Sequence, residues 1–592
     1  MNSRTIFPFH GGVHPPEFKD LSSGAPIAAA PLPSKLVVPL LQSVGNCARP
    51  LVQVGERVLK GQKIGAPDGA LSVAVHAPTS GIVTAIGPAM LAHPSGLSEP
   101  AITIEPDGED RWIDRQPLDW RNVEPRIVRE HLRDMGIVGL GGAIFPSHLK
   151  IVEKGKVKTL IVNGAECEPY ITCDDRLMRE RAEGILAGAA IVRELLGAQQ
   201  ILVGIEDNKP EAVAIMREAI RASGLPADVG VVPTLYPSGA AKQLIKLLTN
   251  IEVPSGVRST DLGVQCFNVG TLYTIWRAIE FGEPAISRVV TLTGNVERPG
   301  NYEALIGTPL NELLQLAGVR PQATGYVYGG PMMGFELANL DIGLSKAGNC
   351  IIVRDAVHFP PRPLEMPCIR CGKCADACPI ELQPMDFYWF TRSKRYDKLE
   401  QWQLFDCIEC GACAYVCPSH IRLVDYFRYA KSEIWADERQ MKAADHARQR
   451  HEFRQFREER EKREKAERLA ARAAPKAVEA NSEAAPVDAA DAERAARIKA
   501  AMERAAAKNA ALNVESAPLV EPPAAPTEPA LDEEKAARIR AAMQKREEEK
   551  ARLAAMSPEE RAALDAEKAA RIAAAKEKAA AKKAAQEQDK AE

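Results

Sequence analysis

The spacing of hydrophobic and polar positions changes character along this chain. Between residues 36 and 104, short β-rich runs (35–41, 72–77, 81–86 and 101–104) alternate with turn signals at Gly55, Gly61-Gln62, Pro67-Asp68-Gly69 and Ser80-Gly81, which predicts a small all-β domain. From 115 to 280, strand-like runs at 159–162 and 200–203 alternate with helical ones at 181–196, 210–222 and 240–248, which predicts an α/β domain. The most apolar stretch, 182–197, contains Glu183, Arg193 and Glu194 and reads as an amphipathic helix. No apolar run reaches the length needed to cross a bilayer. Beyond residue 436 the chain is dominated by Ala, Glu, Lys and Arg, with helical propensity but no sustained apolar seam for a coiled coil. A loose repeat recurs there at 495–502, 536–543 and 569–572, and the whole reads as a solvated, partly helical tail in which the repeats are candidates for docking.

Composition narrows this picture only a little. At 592 residues the chain has room for several domains, and a net charge of −3 gives no global field for nucleic acid or an anionic membrane surface.

The cysteines say much more. One run reads Cys368-Ile369-Arg370-Cys371-Gly372-Lys373-Cys374-Ala375-Asp376-Ala377-Cys378-Pro379, and a second reads Cys407-Ile408-Glu409-Cys410-Gly411-Ala412-Cys413-Ala414-Tyr415-Val416-Cys417-Pro418. Each is the C-x2-C-x2-C-x3-C-P spacing of two-cluster ferredoxins, in which the fourth cysteine ligates the other cluster. This predicts one [4Fe-4S] cluster on Cys368, Cys371, Cys374 and Cys417, and a second on Cys407, Cys410, Cys413 and Cys378. Zinc sites would more commonly use separated C-x2-C knuckles, and disulfides would call for a secretory signal that the polar start at Met1 does not offer. Cys47, Cys167, Cys173, Cys266 and Cys350 are scattered and read as small core residues.

Two segments of the α/β region carry ligand chemistry. Gly139-Leu140-Gly141-Gly142-Ala143-Ile144-Phe145-Pro146 leads to Lys150; its amides can cradle a phosphate while the lysine supplies charge, although a plain Gly-rich turn has the same composition. Asn163-Gly164-Ala165-Glu166-Cys167-Glu168-Pro169 follows a predicted strand, whose carboxyl end is where α/β sheets bind ligands. His10 and His14 read as backbone-bonding residues of a Gly/Pro-rich entry segment, and Met332-Met333 as a plug at a domain junction.

Taken together these segments resemble the flavin subunit of respiratory complex I. The loop ending in Phe145-Pro146, the Asn163…Glu166…Glu168-Pro169 segment and Asn268-Val269-Gly270-Thr271-Leu272 all have counterparts there. The stretch from Gly294-Asn295-Val296-Glu297 through Tyr302-Glu303 to Gly307-Thr308 resembles the β-grasp (SLBB-like) module that follows that subunit's flavin domain. Val54 to Gln62, with Ala77-Pro78-Thr79-Ser80-Gly81, resembles the barrel-sandwich hybrid of biotinyl and lipoyl domains, but the hairpin at Asp68-Gly69-Ala70-Leu71 has no carrier lysine. The order of the parts, and the opening Phe9-His10-Gly11-Gly12-Val13-His14-Pro15-Pro16, resemble the C-subunit family of the Rnf ion-translocating oxidoreductases, RnfC or RsxC.

That resemblance covers roughly residues 1–435. It implies an N-terminal segment (1–35), a barrel-sandwich-hybrid-like β domain (36–110), a flavin/NADH-binding-like α/β domain (115–282), a β-grasp module (286–350), a helical ferredoxin-type domain with two [4Fe-4S] clusters (356–435) and the tail (436–592). It further implies a translocase component on the cytoplasmic side of the inner membrane. Such a component is held there by membrane and peripheral subunits of its complex rather than by a transmembrane helix of its own. It would exchange electrons with NAD(H), and with ferredoxin indirectly, through FMN and the two clusters. By the same resemblance Gly139, Gly141 and Gly142 would approach the flavin phosphate with help from Lys150. Asn163 and Glu166 would bond the flavin ring or ribityl chain, Glu168 would face the nicotinamide, and Asn268 and Thr271 would close the phosphate end. Complex I has an aspartate where Ala165 stands and a glycine where Ile144 stands, and 236–242 lacks its acidic loop residues. Two rival readings keep the clusters: a relay scaffold with no flavin or NADH site, and a reductase of a regulatory iron–sulfur protein.

Overall fold

The computed structural model describes residues 4–473 and Ala500. Met1–Ala466 forms one compact unit, within which small domains pack on a central α/β layer. Apart from Ala500, the tail repeats lie outside the described residues.

The first β domain is a pair of facing sheets. One orders Leu36–Pro39, Ser98–Pro106, Gly81–Met90 and Arg57–Val58; the other orders Arg49–Pro50, Lys63–Ala66 and Val75–His76. Leu36, Val38, Ile64, Val83, Ile102 and Ile104 fill the space between them. The i, i+2 spacing of Leu36/Val38 and Ile102/Ile104 is what aims each pair at one face. The hairpin linking Lys63–Ala66 to Val75–His76 contains Asp68 to Leu71.

The central α/β layer is a four-stranded parallel sheet in the order Ala227–Val232, Gln200–Glu206, Thr159–Gly164, Val264–Asn268. Alternation along the Thr159–Gly164 strand feeds two cores. Leu160 and Val162 point to the side covered by Ala182–Leu196 and Val269–Glu280, and Ile161 points to the side covered by Ala241–Thr249. From Thr159–Gly164 the chain winds outward through two strands and then returns to the opposite side as Val264–Asn268. The sheet therefore reverses its order between these two strands, which opens a crevice at their carboxyl ends. Asn163 and Asn268 are direct register partners at that crevice.

A mixed sheet follows, with Ser287–Gly294 antiparallel to Gly300–Leu305 and parallel to Cys350–Arg354, closed on one side by the helix Leu310–Ala317. The N-terminal segment is a strap. Ala28–Ala29 adds an edge to this sheet, Phe7 N–H donates to Leu247, Val13 bridges Tyr236, and Gly12 N–H donates to Ala377. The cysteine-rich region folds as short helices around Phe387, Leu399, Leu404 and Phe427. The helix Leu423–Ala473 then runs uninterrupted through residue 436, where the composition changes. Among the described residues no helix is long and apolar enough to cross a membrane.

Candidate functional site

The glycine-rich segment is a tight loop at the mouth of the crevice. Val138 bridges Pro146, and Gly139 N–H donates to Phe145. The Asn268 side chain caps the helix Val269–Glu280, accepting from Gly270 N (2.9 Å) and Thr271 N (3.3 Å). The Thr271 hydroxyl in turn accepts from Leu140 N (2.9 Å), so helix cap and loop are tied together. Gly141, Gly142 and Ala143 at the tip are exposed. Gly142 sits at φ +103°, and no protein atom lies within 4 Å of where its Cβ would be. A side chain there would be strained and would occupy the approach to the amides. Exposed amides at a switch-point crevice suit a phosphate-bearing ligand, and in this respect the residues present fit a flavin nucleotide.

The polar residues expected around that ligand form one continuous network. Asn163 donates to Gly239 O (2.8 Å) and accepts from Ala165 N (3.2 Å). Glu166 accepts from the amides of Asp174 (2.6 Å) and Asp175 (3.2 Å) at the start of the helix Cys173–Glu180. Asp174 is held by Asn268 Nδ2 (2.6 Å), and burial followed by the nearby Glu166 charge pushes its carboxyl up to about 7. From the N-terminal strap the Lys19 ammonium donates to the carbonyls of Glu166, Glu168 and Ile171 at 2.6–2.9 Å. This fixes the conformation of the segment that carries both glutamates.

Two residues have partners other than those expected. The Lys150 ammonium turns inward, donating to the Cys266 carbonyl and lying 4.2 Å from the centre of the Phe267 ring, so it does not reach the glycine tip. Lys150 follows the 3-10 turn Ser147–Leu149 directly, as its C-cap. The Glu168 carboxylate, expected to face a nicotinamide, accepts from Met332 N (2.7 Å) and Met333 N (2.9 Å) of the mixed-sheet domain. Met332 does lie at a domain junction, beside Tyr236 and Cys410. His14 bonds the Thr234 carbonyl at 3.0 Å, as a backbone partner.

The cysteine runs converge on two cavities. One is lined by Cys368, Cys371, Cys374 and Cys417, the other by Cys407, Cys410, Cys413 and Cys378. Each holds three thiols from one run and the fourth from the other, because each run coils back and its last cysteine points away across the domain. Four converging thiols in an apolar shell fit a cubane. The two cavities differ in surroundings. Cys410, Cys413 and Cys378 are buried, whereas Cys371 is exposed beside exposed Ile369 and Met366. The buried cavity is the one sealed against the α/β domain. The Tyr236 hydroxyl donates to Cys410 O (2.6 Å), Gln243 donates to Pro379 O (3.1 Å), and Gly12 N–H donates to Ala377 O (3.1 Å).

Sequence reasoning did not find Lys19, Asp174 or Tyr236. Asp174 lies on a short polar helix start eight positions after Glu166, a local signal that could have been read. Lys19 and Tyr236 act on residues more than a hundred positions away, and nothing local marks them.

An α/β domain that carries a crevice of exposed loop amides, and that is bonded through a buried tyrosine to one of two four-thiol cavities, has the parts of a flavin and iron–sulfur electron-transfer protein. Comparison with known families agrees part by part. Residues 7–109 match the RnfC barrel sandwich hybrid domain, 132–277 the Nuo51 FMN-binding domain, 289–336 the SLBB domain and 367–421 the 4Fe-4S dicluster domain. The C subunit of the ion-translocating oxidoreductase complex from Haemophilus influenzae (strain 86-028NP) is 46% identical over 459 residues, which is 77% of this chain and 69% of that protein. Its counterpart from Serratia proteamaculans (strain 568) is 49% identical over 406 residues, 68% of this chain and 57% of its own length. A chain of an NAD+-reducing [NiFe]-hydrogenase overlaps 47% of this chain and 54% of its own at 19% identity, with a TM-score of only 0.38. The chain belongs to the RnfC family, the C subunits of ion-translocating oxidoreductase complexes. It is an electron-transfer component of such a complex.

Proposed function

We propose that this protein passes electrons between NAD(H) and its membrane-bound partners through FMN at the Gly139–Gly142 crevice and two [4Fe-4S] clusters in the two cysteine cavities. The carrying observation is the asymmetry of those cavities: Cys410, Cys413 and Cys378 are buried and Cys407 half-buried, in a cavity bonded to the α/β domain through Tyr236, while Cys371 of the other set is open to solvent. The order this supports is crevice, buried cavity, exposed cavity, partner. Ferredoxin then communicates with this chain only through other subunits of the complex, at the cytoplasmic face of the inner membrane.

When bound, a flavin accepts or donates electrons in pairs with a nicotinamide and singly with a cluster, which is the conversion such a chain needs. The protein's own part is positional. Gly141 and Gly142 leave room for the phosphate, and Asn268 and Thr271 hold the loop end. Asn163 and Glu166 shape the base of the crevice, with Asp174 presented beside them. Lys150 and Glu168 contribute through the scaffold, by their bonds to Cys266 and to Met332 and Met333. Those two inward-turned side chains also favour a second reading, a relay scaffold with no nucleotide site. An anaerobic NADH titration of the reconstituted chain, following flavin absorbance and cluster EPR together, separates the two. Flavin bleaching followed by cluster signals supports the proposal; a full complement of iron with no flavin and no response to NADH refutes it.

A further inference from the structure

The first β domain has the shape of a prosthetic-group carrier without the lysine that would carry one, and its hairpin does something else. The returning half of the hairpin is buried against the α/β domain. Arg133 donates to Ser72 O (3.3 Å) and to Gly69 O, and Ala74 N–H donates back to Arg133 O (3.1 Å). From this footing the domain reaches the glycine-rich loop at two points. Val44 N–H donates to Ile144 O (3.2 Å), and Val73 packs in one apolar cluster with Val138, Leu140 and Ile144. Gly45, next to Val44, is held at φ +107° with its α-carbon against the Leu71 carbonyl; a Cβ would collide there, so the approach requires glycine.

What the domain holds is a strained residue. Ile144 sits at φ +39°, a left-handed conformation that a β-branched side chain adopts only when its surroundings enforce it. Its carbonyl and its side chain are the groups the β domain grips, while the far end of the loop is tied to Thr271. The exposed tip Gly141–Ala143 is thus suspended between two fixed points supplied by different domains.

We infer that the barrel-sandwich hybrid domain is a clamp on the phosphate loop, and that Val44 and Val73 are positioning residues that keep Ile144 in the conformation presenting the tip amides to the nucleotide. The consequence for nucleotide binding rests on the flavin reading above; the mechanical clamp does not. The test uses the full chain and a cycle of Val73→Ala, Ile144→Gly and the double variant. Hydrogen exchange of amides 139–147 is read without nucleotide, FMN affinity is read separately, and cluster EPR serves as the control for folding. Val73→Ala is expected to speed exchange in the loop by about five- to thirty-fold and to weaken FMN binding by a similar factor. In the Ile144→Gly background, where no strained residue needs holding, adding Val73→Ala is expected to change either readout by less than about two-fold. The clamp is overturned if Val73→Ala leaves loop exchange unchanged, or if its effect is the same with glycine at 144. Absence of FMN binding by the wild-type chain would end the flavin reading, while the exchange cycle would still decide the clamp.

Discussion

Removing single cysteines tests the cavity assignment and the electron order at once. Cys378 belongs to the first run in sequence but lies in the cavity of the second, with Cys407, Cys410 and Cys413. Cys417 is its mirror image, lying with Cys368, Cys371 and Cys374. Each cavity is lined by four thiols, so replacing one with alanine leaves three and a cubane cannot be closed. The reducible [4Fe-4S] EPR signal is then expected to fall by about half in any single Cys→Ala variant. The pairing is what discriminates. Cys378→Ala should match Cys407→Ala in the signal that survives, and differ from Cys374→Ala, its neighbour in sequence. Order follows from NADH reduction in the same samples. The buried cavity adjoins the α/β domain through Tyr236, so Cys378→Ala should block reduction of the remaining cluster by NADH while dithionite still reduces it. Cys417→Ala should leave NADH reduction of the buried cluster intact. If Cys378→Ala instead matches Cys374→Ala, the crossed assignment is wrong. If Cys417→Ala abolishes NADH reduction and Cys378→Ala spares it, the order is reversed.

Three further outcomes can be measured. Lys346 is buried where the mixed sheet meets the α/β domain, donating to Gly136 O (2.6 Å), and burial lowers its pKa from 10.5 to about 7. Below about 7 the lysine is protonated in both folded and unfolded chains and the penalty of the buried charge is complete. Between 7 and 10.5 the unfolded chain binds more protons, so stability rises with pH, by at most about 5 kcal/mol. Lys346→Met should flatten that rise in the thermal unfolding of the unit; an unchanged pH profile would count against it. Lys19→Met removes three ammonium–carbonyl hydrogen bonds under Glu166 and Glu168, and a loss of about 2–4 kcal/mol is expected, read as a lower melting temperature with faster proteolysis of the 163–171 segment. Tyr236→Phe removes the donor to the Cys410 carbonyl, which should make the buried cluster slightly harder to reduce in a redox titration while leaving the exposed cluster at its wild-type potential.

The sequence by itself pointed to the chemistry. Two repeated cysteine spacings predict eight ligands and their crossed pairing, because a C-x2-C-x2-C run curls around one corner of a cubane while its fourth thiol leaves it, and the thiols do gather in those two sets of four. Periodicity was likewise enough for two of the four parallel strands, Thr159–Gly164 and Gln200–Glu206, and for three helices beside them, since the i, i+2 alternation of Leu160, Ile161 and Val162 already separates two buried faces; the strands Ala227–Val232 and Val264–Asn268 were not read from it. Only the tertiary structure decided what the polar residues of the crevice do. Lys150 and Glu168 carry the right chemistry at the right distance along the chain, yet their charges are taken up by the Cys266 carbonyl and by the Met332 and Met333 amides. Lys19, Tyr236 and Val44 act on partners 147, 174 and 100 residues away. A ligand motif is local because one short stretch of backbone sets its geometry. A hydrogen bond between domains is not, because a buried charge or amide must be satisfied by whatever group the packing of distant segments brings to it.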